Sequence, residues 1–208
     1  GITAENLAAE YTISREDQDC FAARSQELWA RAEARGGFKD EIVPVKVEAE
    51  GEEKIFAKDE HPRPETTTEK LSRLKPVFKK DGTVTPGNAS GINDGAAALL
   101  LMTEEGAEVR GLTPLAYVRG TASAGVDPRV MGIGPAPAIR KLLEKTGTRL
   151  EDIDLIELNE AFAAQSLAVG KELDWDWDAV NTRGGAIAIG HAVGASGARI
   201  ATTLLHQM

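Results

Sequence analysis

This chain has very little cysteine: one residue, Cys20, in a sequence of 208. A single thiol excludes an intrachain disulfide framework and points to a reducing compartment. Aromatic residues are also scarce, at 5%, so a core has to be assembled from Ala, Val, Ile and Leu. The hydrophobic share of 42% is enough for one and argues against a disordered chain. Positive charge is in short supply, with 24 Lys and Arg against 33 Asp and Glu. The net charge of -9 argues against a nucleic-acid partner, which needs clustered cations. It does not exclude an anionic small molecule held by a few local ones. The longest apolar run, residues 96–102 ("AAALLLM"), is far too short to cross a bilayer. The opening "GITAENLAAEYTISRED" has no signal-peptide core, so a cytoplasmic protein without a membrane partner is the expectation. The three histidines, His61, His191 and His206, lack metal-ligand spacing, and no metal site is expected. There is no P-loop, no G-x-G-x-x-G and no G-x-S-x-G nucleophile elbow.

What is present reads as alternating structure. "ENLAAEYTIS" has helical spacing, and a second helix follows Ser14, which with Asp17 resembles a capping box although the usual partner is Glu or Gln; Gly36 and Gly37 close it. Cys20, Phe21 and Leu28 fall near one face of that helix, with Arg24 pointing the same way. Cys20 is expected there as a small buried hydrophobe. "EIVPVKVEAEGEEKIFAKDE" predicts two short strands around Gly51. Residues 61–82 open with prolines, form a short helix and are locally basic, as either a solvated face or a phosphate site. A loop rich in Gly, Asn and Ser then leads into residues 96–102, expected to be buried. Beyond Thr113 the pattern predicts a strand over residues 115–126 and a helix ending at Gly147. A strand over "IDLIELN", a helix over "EAFAAQSLAVGKEL", a strand over "AIAIGH" and a helix from about Ala195 follow. Strands alternating with helices imply an α/β fold with a parallel or mixed buried sheet.

Two junctions concentrate chemistry. Asn159 and Glu160 stand where "IDLIEL" gives way to a helix, and His191 stands where "AIAIG" does. In α/β folds ligands bind beyond the carboxyl ends of strands, so both could face one pocket. A histidine in a tight turn and an asparagine N-cap are the plainer readings of the same residues.

Four stretches, "GNASGINDGAAALLLM", "GPAPAIRKLLEK", "IELNEAFAAQ" and "GGAIAIGHAVGASGAR", together resemble the thiolases, acyl-CoA acetyltransferases that join or cleave 3-ketoacyl-CoA. The resemblance runs along the whole chain in order. It implies a layered α-β-α-β-α thiolase-like fold, here incomplete. Residues 1–85 would be a coenzyme A-contacting loop-domain remainder, residues 86–112 the end of the N-terminal half, and residues 113–208 a truncated C-terminal half. It implies Claisen condensation of acyl-CoA or thiolysis of 3-ketoacyl-CoA, chemistry that needs an activated thiolate, a base and oxyanion donors. His191 matches the family's histidine beside the nucleophile, and Asn159 matches the asparagine that completes an oxyanion hole. Arg63 matches an arginine near the adenine and phosphates of coenzyme A, and Leu74 and Phe78 match apolar contacts to the nucleotide and pantetheine. Ser90 and Ile92 match the pantetheine tunnel, and Ala161 and Phe162 the wall beside the thioester. Coenzyme A and acyl-CoA enter as substrates, with no covalently bound cofactor, and a homo-oligomer is implied.

The chain departs from the family where it matters most. The family's nucleophilic cysteine precedes the region matched here, and its C-x-G-x-G cysteine follows it. Cys20 matches neither. Together with a start at Gly1 and a stop within "ARIATTLLHQM", this reads as a piece of a longer protein, not competent alone. A non-catalytic coenzyme A-binding or assembly module, or one chain of a split thiolase, are the alternatives. Ala192 stands where the family usually has proline, and "VNTRGG" would place Arg183 near the site.

Overall fold

The computed structural model describes residues 1–49 and 51–208; Glu50, inside the span read as two strands, lies outside them. Helix α1, Ile2–Glu10, and helix α2, Arg15–Ala34, open the chain. The Ser14 capping box is formed in both directions: Ser14 Oγ accepts from Asp17 N at 3.0 Å, and Asp17 Oδ2 accepts from Ser14 N at 3.0 Å. Such a cap stabilises a helix by about 1 kcal/mol. Strands β1, Val45–Ala49, and β2, Glu52–Phe56, pair antiparallel with Val45 opposite Phe56. The turn passes through Gly51 at φ +80°, the left-handed region that glycine enters at no steric cost. Short α3, Thr68–Ser72, and α4, Glu104–Val109, follow, each with a threonine N-cap.

The second half is carried by α5, Pro135–Thr146, α6, Ala163–Leu173, the single turn α7, Ala186–Ile189, and α8, Ser196–Leu205. Gly147, at φ 65°, ends α5 as its position predicts. Leu7 and Ala8 of α1 pack with Ala164 and Ala168 of α6, beside Val84. Phe21 and Ala22 of α2 join Leu71, Ala163 and Ile187, and Trp29 joins Phe38 and Ala188. A fourth cluster, Leu158, Val169, Leu173 and Val180 with Trp175, lies wholly in the second half. The other three clusters therefore clamp the first 85 residues onto the last 60 or so, which is what brings distant loops to one site.

Five expectations are corrected. Residues 115–126 form no strand: Leu115 and Val118 are exposed, and the carbonyls of Thr121 and Ser123 are met by Lys145 and Lys141 of α5. "IDLIELN" forms none either, and meets "AV" of residues 179–180 through one parallel bridge, Ile156 to Val180. A strand needs a neighbour along its length, and among the described residues these two segments have none. "AIAIGH" is instead the helical turn α7, because Gly185 and Gly190 bracket a stretch whose amides close on Gly185 and Ala186 carbonyls. Residues 96–102 are not buried: Leu100 is 82% and Leu101 71% exposed. The fifth is Cys20, which is exposed. The buried stripe of α2 runs through Gln18, Ala22, Ser25, Trp29 and Ala32, and two residues beyond Gln18 is about 200° around the helix.

Candidate functional site

The loop after α7 and the turn before α6 meet. Gly190 turns the chain at φ +93°, where a Cβ would lie 2.1 Å from Asn93 Oδ1, so the approach of residues 91–93 requires glycine. His191 N donates to Gly91 O at 2.9 Å, and Asn93 N donates to His191 O at 3.3 Å. One step earlier Ser90 N and Oγ both donate to Ala161 O, at 3.1 and 3.0 Å, and Ala163 N donates to Asn88 O at 2.9 Å. Residues 88–93 therefore form a strip of backbone stitched to residues 161–163 along one stretch and to residue 191 along the next. That strip sets the separation of the two junctions.

Across it the side chains converge. Asn159 Nδ2 lies 3.3 Å from His191 Nε2, and His191 Nδ1 lies 2.6 Å from Ser196 Oγ. Burial, reinforced by the Arg199 guanidinium, holds the His191 pKa below its ordinary value, so the imidazole is neutral at neutral pH. Asn159 Oδ1 is buried and has no partner in the protein, so it is placed to accept from a water or a substrate group. A neutral imidazole and a carboxamide on one small pocket can exchange a proton and stabilise a developing oxyanion.

Glu160, beside Asn159, anchors this geometry and was not singled out as a structural centre by the sequence. It is 0% exposed. Its carboxylate accepts from Ser25 Oγ at 2.6 Å, Asn181 Nδ2 at 2.8 Å and Ile187 N at 3.2 Å. Burial pushes its pKa up, opposed by those three donors. Gly185 has to be glycine beside it, since a Cβ there would meet the carboxyl carbon at 2.4 Å. Asn181 in turn grips Leu158 by both backbone groups, at 2.7 and 2.9 Å. One carboxylate thus joins α2, the turn carrying Asn159 and the start of α7. The sequence placed Glu160 at the junction with Asn159, but nothing in it marked the residue as the tie between α2 and α7.

The residues matched to coenzyme A contacts fall into two groups. Arg63 and Leu74 line a cleft of about 330 Å³ with Gln26, His61, Lys70 and Ile187. Arg63 Nη1 donates to the carbonyls of Glu60, His61 and Pro62, which folds the side chain back over its own loop. His61 Nδ1 lies 2.8 Å from Ala188 O, tying the cleft to α7. The second group follows the strip: Ser90 bonds to Ala161, and Phe78 packs edge-on against Phe162 with ring centroids 6.0 Å apart. Ile92 shares the strip through its backbone, but its side chain is 91% exposed. Arg183 turns away from the site, donating to Gly37 O and to His206 O. Ala192, in the proline position, is anchored all the same: its carbonyl accepts from Ala195 N at 2.7 Å and Ser196 N at 2.8 Å.

This sequence matches two family models, the thiolase N-terminal domain over residues 1–105 and the thiolase C-terminal domain over residues 112–208. It is 58% identical over 209 residues to an acetyl-CoA acetyltransferase of Pseudomonas aeruginosa, covering 100% of this chain and 53% of that protein. The structure is similar to that of the Bacillus anthracis acetyl-CoA acetyltransferase, with a TM-score of 0.98, 56% identity, and 100% of this chain and 52% of that one covered. It is also similar to human mitochondrial 3-ketoacyl-CoA thiolase in complex with CoA, with a TM-score of 0.90, 46% identity, and coverage of 99% and 51%. The chain spans about half the length of the relatives it matches. With the two family models together matching nearly all of the chain and the α/β fold shared at this level, the chain belongs to the thiolase family.

Proposed function

We propose that this chain supplies the histidine–asparagine part of an acyl-CoA acyltransferase site of the thiolase type, for Claisen condensation of acyl-CoA or thiolysis of 3-ketoacyl-CoA. The observation that carries the reading is the meeting of His191 Nε2 and Asn159 Nδ2 at 3.3 Å beside an unpartnered Asn159 oxygen. His191 takes up a proton at Nε2 and, once it carries that proton, donates to a thioester oxygen, while Asn159 orients the group that completes an oxyanion site. Coenzyme A lies along the cleft with Arg63 and Leu74 at its nucleotide end, and along the strip with Phe78, Ser90, Ile92, Ala161 and Phe162 at its pantetheine end. A cytoplasmic homo-oligomer and the division at residues 1–85, 86–112 and 113–208 belong to the same proposal.

One observation favours dependence on a second source of thiol. The chain's one cysteine is exposed on α2 and is not among the residues around His191. Without a nucleophile, acyl transfer by the family route does not proceed. The purified chain is therefore expected to show no thiolysis of acetoacetyl-CoA, yet to bind coenzyme A in a calorimetric titration, with Arg63→Ala weakening binding. Supplied with a thiolase segment bearing the nucleophile, it is expected to turn over, and His191→Ala to abolish that turnover. Thiolysis by the chain alone that is lost in Cys20→Ser, or full turnover in the complemented His191→Ala variant, overturns the reading.

A further inference from the structure

Ser196 is the first residue of α8, is buried, and stands five residues beyond His191. Its Oγ donates to Ala192 O at 3.0 Å and lies 2.6 Å from His191 Nδ1. A serine hydroxyl has one proton and two lone pairs. With that proton on Ala192 O, the oxygen meets Nδ1 with a lone pair, and Nδ1 has to carry the hydrogen. On the far side of the ring Asn159 Nδ2, which can only donate, faces Nε2. Nε2 therefore meets it with its own lone pair. Two neighbours on opposite edges of the imidazole favour the same tautomer, Ser196 through the shorter contact.

We propose that Ser196 is a positioning residue for His191: it holds the imidazole as the Nδ1–H tautomer and so keeps the Nε2 lone pair turned toward Asn159. The partner on one ring nitrogen decides what the other can do, and here a neutral hydroxyl plays the part that a carboxylate plays in a catalytic triad. The hydroxyl is itself fixed, because the Ala192 carbonyl that receives its proton also accepts the amides of Ala195 and Ser196. The loop therefore closes on itself and aims the ring without adding a charge. What the lone pair is for rests on the acyltransferase reading; the tautomer does not.

The test is a long-range ¹H–¹⁵N correlation spectrum of the imidazoles in the full chain at pH 8, where the three histidines are few enough to separate and His191→Asn identifies the resonances of interest. The expected result for the native chain is an unprotonated, pyridine-type resonance at Nε2 and a protonated, pyrrole-type one at Nδ1. In Ser196→Ala the pyridine-type resonance moves to Nδ1, the form a solvated imidazole favours, and Ser196→Thr restores the native pattern. A native spectrum with the proton on Nε2 overturns the proposal, as does a Ser196→Ala spectrum identical to the native one. The native spectrum decides the tautomer even where a variant fails to fold. No turnover is read, so failure of the acyltransferase assignment and failure of this proposal are told apart.

Discussion

Glu160 shows how much of this site is arranged by one residue. A fully buried carboxylate is costly unless donors surround it, and here Ser25, Asn181 and the Ile187 amide do so. Removing one donor while the carboxylate stays buried leaves desolvation uncompensated. Asn181→Ala also strips Leu158 of both backbone partners. The variant is expected to lose about 3 kcal/mol in urea unfolding, with the denaturant slope unchanged; a loss under about 1 kcal/mol would show that water takes over those bonds. Cys20 makes a second residue-scale prediction. Because it lies on the exposed side of α2, the native chain is expected to react with a thiol reagent about as fast as the urea-unfolded chain. Strong protection in the native state would return it to the buried role its neighbours suggested.

Helix α8 carries its own pH dependence. Glu157 lies against it, accepting from Gln207 Nε2 at 2.6 Å and facing Arg199 at 3.5 Å. Burial pushes the Glu157 pKa from 4.5 to about 7, with Gln207 and Arg199 opposing and Glu160 and Glu41 adding to the rise. Below pH 4.5 the group is protonated whether the chain is folded or not. Between there and about 7 the unfolded chain releases a proton that the folded chain keeps, so this group's contribution falls as pH rises, by about 3 kcal/mol in all. Glu157→Gln is expected to flatten that part of the stability curve and to be the more stable form at pH 8, measured by unfolding across the window. Parallel curves for the two proteins would remove Glu157 as the cause. At the other end of the same assembly α2 crosses the loop before α7 so closely that a Cβ on Gly184, itself at φ +76°, would lie 2.5 Å from Ser25 O. Gly184→Ala is expected to lower the melting temperature by several degrees, through left-handed strain and lost contact between α2 and α7.

At the scale of the molecule, order and exposure are divided. Three of the four apolar clusters join the two ends of the sequence, whereas residues 92–126 hold Ile92, Leu100, Leu101, Leu115 and Val118 out to solvent. Extended apolar segments without a neighbouring strand attract dyes, proteases and other chains. The purified chain is expected to bind a hydrophobic dye such as ANS, and limited proteolysis to cut first within residues 92–126 while the peptides bearing Asn159 and His191 stay together. First cuts within α2 or α6 instead would mean that the clusters do not hold the ends together.

The local features were legible in the sequence because they depend on neighbours within a few residues: the Ser14–Asp17 cap, the turn at Gly51, the end of α5 at Gly147, the start of α8. So were the motifs around Asn159 and His191, as a pattern shared with a family. Whether residues 115–126 become a strand was not legible, since a strand is completed by hydrogen bonds from elsewhere and its own pattern of residues cannot supply them. The burial of Cys20 was misjudged because one helix presents only one face to a core, and which face is chosen by the partners, here α6 and α7, more than by the helix itself. The meeting of Asn159 with His191 across 32 residues, the strip of residues 88–93 between them, and the carboxylate of Glu160 beneath them exist only once the chain has closed on itself. The sequence by itself determined which groups are available and where the chain turns; the tertiary structure decided which of them meet, because hydrogen bonds and exclusion of water act through space and not along the chain.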